Sequence, residues 1–393
     1  MSLRLFFNQF TEEEVQVFTA DPNIASTIEF HCNDFPNWED AEIAIISTEE
    51  YRFSTKYSQS DTSSITSASS IRKSLYQLKS VTKELKIVDL GCLRLGENSD
   101  ETIERLAEVC SMLLKHDTLP LIIGGDHELD FAQFLAYQDL EKMLAVVNVD
   151  ATIDMTLAQK EKFGHVQRIL LHHPNYLFDY TQLGYQRYFV DLKVLETFQK
   201  LNFELKSIGQ MRDKFEDVEP LVRSADMLSF DVTAIRNAEM PLKTKVHPFG
   251  LTGEEACQLS WYAGTNEKLT SVGFYGLDTD IDENSISAKV ISTMIWYFIE
   301  GFAHRKKEYS FKSNFHIKYI VPLAAINEKL PVHNLVFYKS KITDKWWMEI
   351  PVSLSEMKEF GRNIIIPCSY ADYEIANTGN IPDRWLKAME KYS

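Results

Sequence analysis

Asp150, Thr152 and Asp154 stand at alternate positions directly after the apolar run Leu144–Val149. If the extended backbone continues through them, alternation puts the three side chains on one face. Two carboxylates held close at the end of a buried strand repel one another and lose solvation, and a cation between them relieves both penalties. Two further residues are placed alike: His127 follows Leu-Pro-Leu-Ile-Ile-Gly-Gly-Asp, and Asp231 follows Met-Leu-Ser-Phe. Three carboxylates and one imidazole make a hard, oxygen-rich ligand set, which suits Mn²⁺ or a similar cation better than a structural zinc. One aspartate after a strand is ordinarily a cap or turn residue. Four such residues on three strands are hard to explain in that way.

These residues meet only if the runs that carry them share a sheet. Strand-like runs fall at Ile43–Ser47, 86–91, 119–124, Leu144–Val149, 187–190, 205–208, 227–230 and 269–275. Helical patterns separate several of them: 71–78, 101–116 with Ser99 or Asp100 as N-cap, a segment from 129, 252–263, and the apolar stretch 287–303. Thr252 and Glu255 form a capping box, with Gly264 as the expected residue just past that helix. Nearly continuous apolar strands alternating with helices predict a parallel sheet of about eight strands covered on both faces. Ligands of such a sheet bind at the carboxyl edge of its strands, where His127, Asp150, Asp154 and Asp231 all lie. Residues 1–40 read as an N-terminal addition, 41–304 as the α/β domain, and 305–393 as a β-rich C-terminal extension ending in an amphipathic helix. The Ser/Thr-rich tract 54–70 reads as a long surface loop.

The net charge of −16 disfavours nucleic acid or an anionic membrane surface as a partner, while leaving a small substrate open. Five scattered cysteines without a Cys-x-x-Cys pair exclude a disulfide framework and favour reduced thiols. No apolar run approaches membrane-spanning length, and the acidic Thr11-Glu12-Glu13-Glu14 comes too early for a signal peptide, so a cytoplasmic location is expected. A homo-oligomer is compatible with the sequence.

Gly124-Gly125-Asp126-His127, Asp150-Ala151-x-x-Asp154 and Ser229-Phe230-Asp231-Val232 resemble the three metal motifs of the ureohydrolases, the family of arginases, agmatinases and formimidoylglutamases. Ser69-Ser70-Ile71-Arg72 and Ile208-Gly209-Gln210-Met211-Arg212-Asp213 resemble its early helix and its Gly-x-Arg-Asp turn, and the likeness spans about residues 41–302. The resemblance implies a three-layer α/β/α fold and a pair of Mn²⁺ ions bridged by a hydroxide that attacks a guanidino or formimidoyl carbon. It also implies a pattern of loss. The family's Asp-Ala-His-x-Asp has Thr152 at the His position, and its Asp-Val-Asp has Thr233 at the second Asp. His127, Asp150, Asp154 and Asp231 correspond to the ligands of one metal, and the two threonines replace ligands of the other. Gly276 or a neighbour stands where a substrate-gripping Glu is expected, and the proton-transferring His-Gly loop is not recognisable.

Two functions follow from this pattern. One is a hydrolase of C–N bonds in linear amidines, working with a single divalent cation, as the deacetylase branch of this fold does, and with His172, His173 or Glu128 as general base. The other is a catalytically inactive relative that serves as a binding or scaffold protein, holds no ion, and neutralises the leftover carboxylates with Arg212 or Arg236.

Overall fold

The computed structural model describes residues 2–19, 23–53, 67–81, 84–155, 164–242, 247–277, 285–308, 311, 314–322, 334–351 and 365–392. The apolar runs become strands: β1 (Phe7–Asn8), β2 (Ile28–Phe30), β3 (Ile43–Ser47), β4 (Ile87–Leu93) and β5 (Leu119–Ile123), then β6 (Leu144–Val149), β7 (Leu177–Tyr185), β8 (Glu204–Ser207), β9 (Met227–Asp231) and β10 (Ser271–Tyr275). They form one sheet of ten strands, ordered β1-β4-β3-β5-β10-β9-β6-β7-β8, with β2 also paired to β4. The strands from β3 to β10 pair in parallel throughout, and antiparallel β1 joins at the β4 edge.

Every residue of β3, β5, β6, β9 and β10 is buried, so these strands need cover on both faces. One apolar cluster joins the sheet to the helices Ser67–Leu75, Gly253–Gly264 and Ile286–Ala303; a second joins its other face to Ser99–Lys115, Asp130–Leu135, His165–Leu171 and Leu192–Lys200. The result is the expected three-layer α/β/α arrangement. Beneath its edge, buried Arg72 holds Asp89 of β4 through two hydrogen bonds of 2.7 and 2.8 Å, and Ser47 through a third of 2.6 Å. Among the described residues no helix is long and apolar enough to cross a membrane.

Several local expectations need correction. The predicted strand 187–190 is a 3₁₀ turn, Arg187–Phe189, and the strand of that region is β7. Asp179, Thr181 and Gln182 disguise β7 as a polar segment, although Thr181 and Gln182 are buried within the sheet. The N-cap of Ser99–Lys115 is Asn98, whose side chain accepts from the Glu101 amide. The capping box of Thr252 and Glu255 forms as expected, but the helix runs through Gly264. A Cβ there would lie 2.2 Å from the Phe298 carbonyl oxygen, so Gly264 permits the close crossing with Ile286–Ala303 rather than ending its helix. The early helix begins at Ser67, four residues before expectation; the remainder of the predicted loop, 54–66, lies outside the described residues.

The C-terminal residues form a four-stranded antiparallel sheet in sequence order: β11 (His316–Pro322), β12 (Asn334–Ser340), β13 (Trp346–Glu349) and β14 (Ile365–Cys368). Two helices follow, the unforeseen Tyr370–Asn377 and the foreseen amphipathic one at Asp383–Tyr392. Arg223 of the α/β unit joins this sheet by donating to the carbonyls of Trp346 (3.0 Å) and Cys368 (3.1 Å) and by lying 4.5 Å over the Trp347 ring.

Candidate metal centre

β5, β10, β9 and β6 are consecutive neighbours at the middle of the sheet, so their carboxyl ends open onto one place. After β5, Gly124 and Gly125 adopt φ of +93° and +78°, a left-handed pair that glycine takes without strain, and the turn delivers His127. Backbone bonds from Gly124 to Phe274 (2.9 Å) and from Gly276 to Gly125 (3.0 Å) tie this turn to β10. Asp231 is the last residue of β9, and its Oδ1 accepts from the Thr233 amide at 2.7 Å.

Asp150 follows β6, but the chain then bends at Ala151 and Thr152 instead of staying extended. Gln182 of β7 holds the bend by donating to the carbonyls of Asp150 (3.3 Å) and Thr152 (3.0 Å), while its own oxygen accepts from Asn148 (3.0 Å). The three side chains still meet, because Thr152 bridges them. Its amide donates to Asp150 Oδ1 at 2.9 Å, and its hydroxyl lies 2.9 Å from Asp154 Oδ1 and 3.3 Å from Asp150 Oδ1. Pairing with a threonine hydroxyl, not strand alternation, brings Asp150 and Asp154 together.

The other carboxylate oxygens turn inward. Asp150 Oδ2 and Asp231 Oδ2 each lie 3.2 Å from His127 Nδ1, and all three side chains are buried. Neither His127 Nδ1 nor Asp150 Oδ2 has a hydrogen-bond partner at these angles. Burial raises the Asp150 pKa, and the facing Asp231 raises it further. Burial alone would lower the His127 pKa, but Asp150 and Asp231 outweigh it and hold the imidazole well above its ordinary value. Negative groups are thus concentrated out of water around one nitrogen, and the place calls for positive charge, from a proton on His127 or from a cation.

The structure adds a residue that the sequence reading missed. His165, fully buried at the start of helix His165–Leu171, sits with its ring centroid 4.1 Å from that of His127 and its Nε2 3.6 Å from Asp154 Oδ2. One donor atom from each of His127, Asp150, Asp154 and His165 lies within 4.8 Å of the others. The signal was the Gly164-His165 pair: a Cβ on Gly164 would stand 2.3 Å from the Asp154 carbonyl, so only glycine lets the residue before His165 pack this closely on the site. His172, named instead, hydrogen-bonds Gln138 at 2.7 Å and packs edge-on to Phe131 and Phe134. His173 precedes a cis proline on the same segment. Arg212 pairs with Glu255 (3.0 Å) and Arg236 with Glu239, so these two are committed away from the carboxylates they were expected to neutralise.

Glu128, next to His127, is half-buried; burial raises its pKa, and the fields of Asp154 and Asp130 add to that. Gly276 has φ of +76°, and a Cβ there would lie 2.2 Å from Asp231 Oδ1, so a glutamate at this position would dislodge Asp231.

A divalent cation fits what is present: buried donors without hydrogen-bond partners, from hard oxygen and imidazole groups, converging from neighbouring strands. The sequence profile of the arginase family matches residues 55–300. A formimidoylglutamase of Geobacillus kaustophilus is 25% identical over 228 residues, covering 55% of this chain and 68% of that protein. One from Staphylococcus haemolyticus is 21% identical over 224 residues, covering 54% and 71%. In structure, Trypanosoma cruzi formiminoglutamase with Mn²⁺ superposes with a TM-score of 0.60 at 20% identity, covering 70% of this chain and 100% of that one.

Proposed function

The chain belongs to the arginase family, and from that premise we propose that it is a hydrolase of C–N bonds in linear amidines that works with one divalent cation, Mn²⁺. His127, Asp150, Asp154 and Asp231 would hold the ion; residues 41–304 carry the site, between an N-terminal addition (1–40) and an appended C-terminal unit (305–393). The names of the relatives favour a formimidoyl substrate over a guanidino one.

One observation carries the reading of a single ion. The Oδ1 atoms of Asp150, Asp154 and Asp231 are occupied by the hydroxyl and amide of Thr152 and the amide of Thr233, the two residues that replace ligands of a second metal. The Oδ2 atoms of Asp150 and Asp231 face one imidazole nitrogen. A bound cation supplies a water of lowered pKa and an electrophile for the substrate. The carboxylates attract a cationic amidine to the sheet edge. Glu128, next to His127 and with its pKa raised first by burial, is the group proposed to take the proton. The test is release of formamide, ammonia or urea from formimidoylglutamate, arginine, agmatine and guanidinobutyrate by Mn²⁺-loaded protein, with Glu128→Gln as control. Turnover of one substrate that falls at least tenfold in the control supports the reading; no turnover of any contradicts it.

The second reading, an inactive relative used as a binding protein, also has an observation of its own. A protonated His127 between Asp150 and Asp231 neutralises the centre without a metal. Protein that takes up no ion from millimolar Mn²⁺ would favour it.

A further inference from the structure

We infer that His165 is a direct ligand of the cation, and that Asp130 is the positioning residue that aims both imidazoles at it. The inference rests on the proposed cation site and changes its composition from one imidazole to two.

The hydrogen bonds assign the tautomers. His165 Nδ1 lies 2.8 Å from Asp130 Oδ2; a carboxylate accepts, so Nδ1 carries the proton. In the neutral ring, the form that binds a metal, the opposite nitrogen, Nε2, carries the lone pair; it is buried, has no hydrogen-bond partner and faces Asp154 Oδ2 at 3.6 Å. The same Asp130 oxygen accepts from Ser229 Oγ at 3.1 Å, which spends the serine's only proton. Ser229 Oγ must therefore accept from His127 Nε2, 2.8 Å away, so that in the neutral ring the lone pair of His127 is on Nδ1. One carboxylate oxygen thus sets both rings, and each presents a bare nitrogen to carboxylate oxygens. Lone pairs facing one another out of water repel; a proton on one ring relieves the contacts of that ring, and a metal among them turns every such contact favourable. A carboxylate behind a ligating histidine is the usual support for such a ligand.

The distances allow it. Donors bound at about 2.0–2.2 Å to a common ion can stand up to about 4.4 Å apart. The spread of His127, Asp150, Asp154 and His165, within 4.8 Å, closes with shifts of a few tenths of an ångström. Two imidazoles also move the set away from the purely hard cations and toward Co²⁺ and Zn²⁺.

Co²⁺ is the probe, since the imidazole N–H of each ligated histidine then gives one exchangeable, strongly shifted proton resonance. We expect two such resonances in the Co²⁺-loaded wild type, one in His165→Gln, and Co²⁺ affinity about 10–100-fold weaker in that variant. Asp130→Asn should bind Co²⁺ about tenfold more weakly and move both resonances, a change that loss of stability alone does not produce. Co²⁺ bound with a single resonance in the wild type overturns the role of His165 and leaves the cation site intact. Absence of Co²⁺ binding overturns both. Unmoved resonances in Asp130→Asn overturn the role given to Asp130.

Discussion

Gly276→Ala should loosen the metal centre through Asp231, although Gly276 donates no ligand. Its φ of +76° costs an L-residue about 1–2 kcal/mol. The new Cβ would start 2.2 Å from Asp231 Oδ1; ordinary contact begins near 3.4 Å, so the carboxylate must retreat by about 1.2 Å. That retreat breaks the 2.7 Å bond from the Thr233 amide and the 3.2 Å approach of Oδ2 to His127. Crowding of this kind adds about 1–3 kcal/mol, for a total loss of stability of about 2–5 kcal/mol. Misplacing one supporting carboxylate should weaken Mn²⁺ binding about 10–100-fold, which is about 1.4–2.8 kcal/mol. Gly379→Ala separates strain from contact, because Gly379 also has a left-handed φ, +87°, but nothing lies within 4 Å of its Cβ position. Calorimetric titration with Mn²⁺ and urea unfolding of both variants make the comparison. Gly379→Ala should lose about 1–2 kcal/mol and keep wild-type affinity. If Gly276→Ala binds Mn²⁺ within twofold of wild type, the placing of Asp231 at the ion is wrong.

Other consequences can be checked on the same protein. Arg72→Met takes the opposite charge and two hydrogen bonds from the buried Asp89 carboxylate, leaving it the Tyr76 hydroxyl and the Gly91 amide, and urea unfolding should report a loss of about 3–5 kcal/mol. Arg223→Ala removes the two hydrogen bonds from its guanidinium to the Trp346 and Cys368 carbonyls, and with them its stacking on Trp347, from the contact between the C-terminal sheet and the α/β unit. Limited proteolysis should then cut the C-terminal unit first, with Mn²⁺ affinity unchanged. Stripping the ion with chelator should lower stability, and Mn²⁺ at 100 times its Kd should restore about 2.7 kcal/mol; a melting temperature indifferent to both treatments contradicts binding to the folded state.

The carboxyl-edge placement of His127, Asp150 and Asp231 was legible because each follows an unbroken apolar run, and such runs become central parallel strands. The start of Gly253–Gly264 was legible from the capping box of Thr252 and Glu255, whereas the capping box of Ser369 and Asp372 did not reveal Tyr370–Asn377, and the apolar stripe of Ser99–Lys115 did not fix its N-cap. β7 was not, because Thr181 and Gln182 are polar residues buried to serve the sheet and the Asp150–Thr152 bend, and periodicity cannot distinguish them from a loop. His165 was hidden for a related reason: its place at the site depends on the close packing of Gly164 against the Asp154 backbone, a contact that leaves only two residues as its trace. The threonines could be seen as substitutions, but the sequence could not tell that Thr152 itself bridges Asp150 and Asp154. The pairing of Arg212 with Glu255 was likewise invisible, since it joins residues 43 positions apart that no local pattern links.

The claim of one ion is tested most directly by elemental analysis of Mn²⁺-equilibrated protein, alongside Asp150→Ala and the double variant Thr152→His with Thr233→Asp. The account predicts about one ion per chain in the wild type, none held tightly in Asp150→Ala, and a rise in the double variant, where the second set of ligands is restored. Two tightly bound ions in the wild type would contradict it.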